Sequence, residues 1–297
     1  MTIVTKLFGG LGNQLFQYAT ARQLGLHLDR PVLADLSWFR NIQDGETPRV
    51  PLLSHFHLPV SFVHSDGDPE HLAEPAANLW QAIRRPVRTI NEKQPFRFDK
   101  RLQTLADRSR LAYLVGYWQS FRYFEEARPH LLEDLRPSTV VDSHYADIAT
   151  RIEGCQSVMV HVRRGDYVHS ASAAKVHGAL PLDYYRRALE LVRGRVKDPH
   201  LFFFSDDIAW VREHLHTDLP SEYVANASGD TAVIAELGLM QRCHHHVIAN
   251  SSLSWWGAWL ADRHGQMVVA PRCWLKSESL VLDDLLPPSW ETLDCGD

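Results

Sequence analysis

Ser157-Val158-Met159-Val160-His161-Val162-Arg163-Arg164-Gly165-Asp166 is a short apolar run that ends abruptly in charge, and its reading decides the fold. Val158 to Val162 reads as a buried strand, and because strand side chains alternate, His161 and Arg163 share one face at its end. The same rhythm continues downstream. Leu182 to Val192 reads as a helix, Leu201 to Phe204 as a strand, Thr231 to Cys243 as a helix and Val247-Ile248-Ala249 as a strand. Trp255 to Leu260 then gives a helix and Met267 to Ala270 a strand. Alternating β and α elements predict an α/β fold built on a parallel, doubly wound sheet, with its ligand crevice at the carboxyl ends of the strands.

Upstream the chain opens in a similar way. Ile3 to Phe8 reads as a strand, Gly9-Gly10-Leu11-Gly12-Asn13 as a tight turn, and the next stretch as a helix with Leu15, Tyr18, Ala21, Leu24 and Leu28 on one face. Pro31 to Asp35 returns as a strand, and Leu111 to Trp118 is a second buried one. Residues 40–110 are rich in Pro, His, Asp and Arg with weak periodicity, so loops and short helices are expected there. The polar segment Arg136 to Thr139 and its continuation carry the crossing into the second half.

The composition sets bounds on function. With 297 residues, 45% apolar and 23% charged, the chain has room for two nucleotide-fold-sized domains. A net charge of -5 without basic runs argues against a nucleic-acid partner and against a membrane-facing helix. The partner expected is a small molecule. The four cysteines, Cys155, Cys243, Cys273 and Cys295, lie far apart with no CxxC pair, and are read as reduced thiols without a zinc site. Met1 to Phe8 is too short for a signal peptide or transmembrane segment before Gly9-Gly10 interrupts it, so a cytoplasmic location is expected.

Polar clusters follow three strands of the second half. Arg163 and Arg164 suit a diphosphate, because guanidinium forks bind phosphate oxygens bidentately and stay charged; the plainer alternative is a surface Arg–Asp pair. Ser205-Asp206-Asp207 stands where a strand turns into a helix, and either aspartate could simply cap that helix. Asn250-Ser251-Ser252 precedes another helix, whose free backbone N–H groups make an anion-binding corner. Trp255, Trp256 and Trp259 beside it fit core packing. In the first half, Gly10, Gly12, Asn13 and Gln14 form a loop that lets backbone approach a ligand, although Leu15 occupies the place of the third glycine of a dinucleotide turn. Consecutive His244, His245 and His246 cannot all converge on one metal ion.

Gly9 to Ala19 (GGLGNQLFQYA), His161 to Tyr167 (HVRRGDY) and Asn250 to Leu260 (NSSLSWWGAWL) together resemble the bacterial α-1,2-fucosyltransferases of glycosyltransferase family 11, in the family's order. Leu253 replaces the family's usual Phe. The resemblance implies a GT-B-like pair of Rossmann-type domains facing across a cleft, an acceptor-side domain over 1–150 and a GDP-fucose-binding domain over 151–297. It also implies inversion at the fucose carbon, transfer to the 2-hydroxyl of a terminal β-galactose, no metal or other cofactor, and a bacterial cytoplasmic enzyme, soluble or peripheral to the inner membrane. By similarity to the wider fucosyltransferase group, Arg163 would hold the β-phosphate, Ser252 would add a hydrogen bond, and His161 would lie by the nucleotide. Glu236 stands where relatives have an Asp contacting guanine.

The set expected at GDP-fucose is therefore His161, Arg163, Arg164, Ser205, Asp206, Glu236, Asn250, Ser251 and Ser252. Departure of GDP needs charge neutralisation, assigned to Arg163 with Asp166 in support, while Asn13 orients the acceptor and Asp35 is an acceptor contact only. No carboxylate is uniquely marked as the base. The alternatives are a non-catalytic nucleotide-sugar or glycan-binding module, and a fucosyltransferase making another linkage.

Overall fold

The computed structural model describes residues 1–40, 48–76, 78, 83–136, 143–164, 178–226, 228–261, 263–275 and 282–295. It divides into two compact units, Met1–Ser138 with Asp283–Leu285, and Thr139–Leu282 with Leu286–Asp297. A helix over Ser143–Glu153, which a boundary at residue 150 would cut, belongs wholly to the second unit.

The first unit is a parallel sheet in the order β3-β2-β1-β5-β4, formed by β1 (Thr2–Lys6), β2 (Val32–Asp35), β3 (Ser61–Val63), β4 (Val87–Asn91) and β5 (Leu111–Val115). β1 lies at the centre and is buried on both faces, which is why its sequence does not alternate. The helix α1 (Leu11–Leu28) is buried around much of its girth, so its polar residues need internal partners. Gln17 Oε1 accepts the Phe8 N–H at 3.1 Å, and Tyr18 donates to Asp134 at 2.6 Å, where Arg22 adds an ion pair at 2.8 Å. At the far end the chain doubles back so tightly that a Cβ on Gly25 would stand 2.5 Å from Val32. β3 and β4, which fall where loops and short helices were expected, are the two edges of this sheet. The short helices α2 (Arg101–Asp107) and α3 (Arg128–Asp134) and several 3-10 turns also belong to this unit.

The second unit carries a parallel sheet in the order β11-β10-β9-β6-β7-β8. Its strands are β6 (Gln156–Val162), β7 (Pro199–Ser205), β8 (Ser221–Tyr223), β9 (His245–Val247), β10 (Val268–Pro271) and β11 (Glu291–Leu293). Its helices are α4 (Ser143–Glu153), α5 (Leu182–Arg195), α6 (Ile208–His214), α7 (Ala232–Met240) and α8 (Ser252–Leu260). Val158, Val160 and Val162 of β6 pack with Tyr184, Ala188 and Val192 of α5 and with Leu201, Phe203, Val247 and Val269. Trp255, Trp256 and Trp259 are core residues, at most 6% exposed. α8 approaches α7 so closely that a Cβ on Gly257 would lie 2.8 Å from Met240.

One expectation is corrected. Cys273 and Cys295 are joined by a disulfide, with their Cα atoms 6.1 Å apart, so the four cysteines are not all thiols. The bond ties the segments two residues beyond the ends of β10 and β11, two neighbouring strands. Among the described residues no helix is long and apolar enough to cross a membrane.

Candidate functional site

In an open parallel sheet, ligands bind outside the carboxyl ends of the strands where the strand order reverses. In the second sheet β6 leads to β7 and β8 on one side and has β9, β10 and β11 on the other, so the reversal falls between β6 and β9. His161, Arg163 and Arg164 stand at the end of β6, and Asn250, Ser251 and Ser252 follow β9. The topology therefore brings two of the sequence clusters to one crevice. The in-register pairing of β6 with β7, ending at Val162 beside Ser205, sets the third cluster alongside.

Asp206 organises this end of the sheet. Arg163 Nη1 lies 3.1 Å from its Oδ2, and its Oδ1 accepts the backbone N–H of Arg164 at 2.8 Å. The Arg164 guanidinium turns away from that pair, lying 3.6 Å above the ring of Trp210 with Nε 3.4 Å from Asp207. Such a cation–π contact is worth about 0.5–2 kcal/mol and holds the Arg164 guanidinium against Trp210. Asp207 also caps α6 by accepting the Trp210 N–H at 3.2 Å, while the Ser205 hydroxyl accepts the Asp207 N–H at 3.0 Å. Asp207 is thus the capping aspartate, and Ser205 shapes the turn. Trp210, which sequence reasoning missed, carries no local signal because its role depends on a side chain from another strand end.

Two further titratable groups surround Arg163. His161 is 4% exposed, and burial pushes its imidazole down to about 4, with Asp206 raising it and Arg163 lowering it further. It is neutral at physiological pH, and its Nδ1 has no partner among the described residues. Glu236, on α7, is pushed up to about 7 by burial, which Arg163 opposes and Asp206 reinforces. A carboxyl that titrates near neutrality next to a guanidinium and an unpartnered imidazole nitrogen is the pattern of a binding site, since structural groups are normally paired.

Asn250 is 2% exposed, and its amide nitrogen donates to the carbonyls of Gly178 at 3.2 Å and Trp274 at 3.3 Å. Its amide nitrogen therefore fixes the loop that leads into α8. Ser251 is the N-cap of α8 without using its side chain, which leaves the helix's first N–H groups and the Ser251 and Ser252 side chains at the crevice end. Asp166 lies outside the described residues.

In the first sheet β1 has β2 on one side and β5 on the other, and the glycine loop follows β1. Gly9 has φ +77°, and a Cβ there would meet Asn13 Nδ2 at 2.9 Å. Gly10 caps α1, accepting the N–H groups of Asn13 and Gln14 at 3.0 and 3.1 Å, and Gly12 is buried in the first turn. Asn13 is half-buried, and its Oδ1 accepts from Gln119 Nε2 at 2.7 Å. Two residues expected at the acceptor are placed otherwise. Gln14 is fully buried, donating to the carbonyls of Gly9 at 3.0 Å and Val50 at 2.9 Å and accepting the Leu52 N–H at 2.9 Å. Asp35 is also fully buried, held by Ser37, Ser65 and Tyr113. Both are clamps of the first unit, out of reach of a ligand.

His244, His245 and His246 diverge as expected for neighbours on a strand: His246 Nε2 meets the Met240 carbonyl at 2.9 Å, while His244 Nδ1 meets Ser157 at 3.1 Å. Among the described residues no three His, Cys, Asp or Glu side chains converge on a metal position.

The profile of glycosyl transferase family 11 matches residues 99–294. The chain belongs to this family. An Escherichia coli alpha-1,2-colitosyltransferase is 30% identical over 297 residues, 98% of this chain and 99% of its own. A Mus musculus galactoside alpha-(1,2)-fucosyltransferase 2 is 28% identical over 156 residues, 50% of this chain and 44% of its own. The crystal structure of the Bradyrhizobium alpha-1,6-fucosyltransferase NodZ soaked with GDP-fucose superposes with a TM-score of 0.51, at 15% identity, over 87% of this chain and 92% of that one. At that identity the likeness concerns the fold, which is GT-B-like. The protein is a glycosyltransferase.

Proposed function

We propose that this family 11 enzyme transfers L-fucose from GDP-fucose to the 2-hydroxyl of a terminal β-galactose, with inversion at the sugar carbon. The observation that carries this reading is Arg163, set at the reversal point of the second sheet between Asp206, the neutral His161 and the titratable Glu236. The relatives support it: α-1,2 linkage in the names of the Escherichia coli and mouse proteins, fucose and galactoside in that of the mouse protein, and a GDP-fucose soak for NodZ. Colitose is fucose without its 3-hydroxyl, so the rival donor differs by one oxygen.

In this reading the Arg163 fork neutralises the β-phosphate as the glycosidic bond to GDP breaks, and the N-terminal N–H groups of α8 with Ser252 take further phosphate oxygens. Asp166 supports the arginine, and Asn13 orients the acceptor hydroxyl. With arginine and helix dipole supplying the positive charge, no divalent ion is required. Purified protein with GDP-fucose and a panel of β-galactosides should form an α-1,2-linked product, identified by NMR, at a rate unchanged by EDTA. A larger kcat/KM with GDP-colitose would reassign the donor, and donor binding without transfer would make the chain a binding module.

Glu236 gives the donor site a pH dependence. As a carboxylate it accepts N–H groups of guanine, and it is ionised above about 7 and neutral below. GDP-fucose, which has no group titrating there, should bind up to about tenfold more tightly at pH 8 than at pH 6, following the ionised fraction. Glu236→Gln should flatten that profile in calorimetry. An unchanged slope in the variant would remove Glu236 from the base contact.

A further inference from the structure

The carboxyl ends of β2, β1 and β5 in the first sheet are lined by groups that neither the fold nor the donor site requires. Phe8 follows β1 and Tyr117 follows β5, and their rings meet with centroids 4.7 Å apart. Trp38, from the turn after β2, lies 6.4 Å from Phe8. Three aromatic rings thus stand together beyond the carboxyl ends of three adjacent strands. Tyr117 is 41% exposed, unusual for a large side chain placed at the mouth of a parallel sheet. The Asn13–Gln119 amide pair joins the segments that follow β1 and β5, and since Asn13 accepts through Oδ1 its NH2 group remains a donor there.

The backbone around Tyr117 is built to hold that ring in place. Glu92, just past β4, accepts the N–H of Tyr117 at 2.8 Å and that of Trp118 at 3.1 Å. Trp118 has φ +56°, a left-handed conformation that a bulky residue adopts only when its surroundings impose it. Gly116 allows it, because a Cβ there would meet Glu92 Cβ at 2.4 Å. Trp118 is itself buried, edge-on to Tyr123 at 5.6 Å. Strained backbone, a carboxylate clamp and a buried anchor all serve to present one exposed aromatic ring.

We infer that Phe8, Trp38 and Tyr117 form an aromatic platform that binds the terminal β-galactose of the acceptor, with Asn13 donating to a sugar hydroxyl and Glu92 as the positioning residue. This rests on the galactoside reading above. Galactose suits it because its axial 4-hydroxyl leaves the C3, C4 and C5 hydrogens on one apolar face, which stacks on an aromatic ring while the opposite edge stays hydrogen-bonded. The carboxyl ends of the strands are also the edge at which an open parallel sheet receives its ligand.

The test separates the platform from the reaction. With wild-type enzyme, Tyr117→Phe and Tyr117→Ala, KM is measured for lactose and for GDP-fucose, and saturation-transfer NMR is recorded with methyl β-D-galactoside and its 4-epimer, methyl β-D-glucoside. Tyr117→Ala should raise the lactose KM about tenfold and leave the GDP-fucose KM unmoved, while Tyr117→Phe keeps both. Saturation should reach H3, H4 and H5 of the galactoside, fall in Tyr117→Ala, and be weaker for the glucoside. Transfer to lactose with an unchanged lactose KM in Tyr117→Ala would overturn the platform alone. Failure of the wild-type enzyme to use any galactoside, while it binds or hydrolyses GDP-fucose, would overturn the acceptor reading and the platform with it.

Discussion

Arg163→Lys is expected to lower kcat/KM by about 10²–10³-fold, the range seen when one preorganised donor to a developing anion is removed. Lysine keeps the positive charge and loses the planar fork that spans two phosphate oxygens. Asp206 makes the difference larger. It holds Arg163 Nη1 at 3.1 Å and so orients the guanidinium, with part of that group still facing outward. A lysine ammonium has a single charge centre, and the same aspartate would draw it away from the phosphate. Glu236 is affected as well, because Arg163 is the cation that holds its pKa down; with that charge displaced, the carboxyl titrates higher and is less ionised at neutral pH. The fold should survive, since the Arg163–Asp206 pair is about a quarter exposed on each side and such pairs contribute little to stability. Steady-state kinetics with GDP-fucose and lactose, alongside thermal melting, checks both statements. A variant with wild-type kcat/KM would end the diphosphate role of Arg163.

The sequence made the second sheet readable because its strands are long or strongly apolar and each ends in chemistry. β6 and β7 pair along seven residues, and their termini carry the arginines and aspartates. The first sheet was legible only at its centre. β1, β2 and β5 are buried and apolar, whereas β3 has three residues and β4 reads Val-Arg-Thr-Ile-Asn, an edge pattern no different from a loop. β8 and β11, also three-residue edges, escaped for the same reason. The disulfide left no trace either, because 22 residues separate Cys273 from Cys295 and only the neighbouring strands β10 and β11 bring them together.

The candidate site divides along similar lines. A motif shows which residues cluster, and not which of them face a ligand. Arg163 and Arg164 are adjacent and chemically identical, yet Trp210, far along the chain, takes Arg164 as a stacking partner. Gln14 and Asn13 are adjacent amides, and a helical turn buries one while leaving the other at the loop's edge. Tyr117 and Glu92 belong to no motif at all. Their relation depends on parallel pairing of β4 and β5, which sets the residues after the two strands side by side.

Asp35→Ala is expected to destabilise the protein by about 3–5 kcal/mol, because it strands several buried donors at once. Asp35 is fully buried, and its Oδ1 accepts the N–H of Ser37 at 3.0 Å, the N–H of Ser65 at 2.9 Å and the Ser37 hydroxyl at 2.6 Å. Its Oδ2 accepts the Ser65 hydroxyl at 2.5 Å and the Tyr113 hydroxyl. One carboxylate thereby joins the end of β2, the segment after β3 and the side chain of a β5 residue. Asp35→Asn should cost only about 1–2 kcal/mol, since an amide oxygen can keep the two N–H bonds and the hydroxyls can rotate to accept from the new NH2 group. The ordering separates a lost hydrogen-bond hub from a lost charge. Burial alone would raise the Asp35 pKa, but bonds from Ser37, Ser65 and Tyr113 outweigh it and hold the carboxyl below its usual range. The carboxylate therefore contributes stability that is present above the unfolded pKa and lost as pH falls through the lower folded value. Urea unfolding of wild type and Asp35→Asn from pH 7 into acid should show a gap that narrows as pH falls, because the neutral amide has no proton to take up. A gap independent of pH would mean that Asp35 acts through shape and not through its charge.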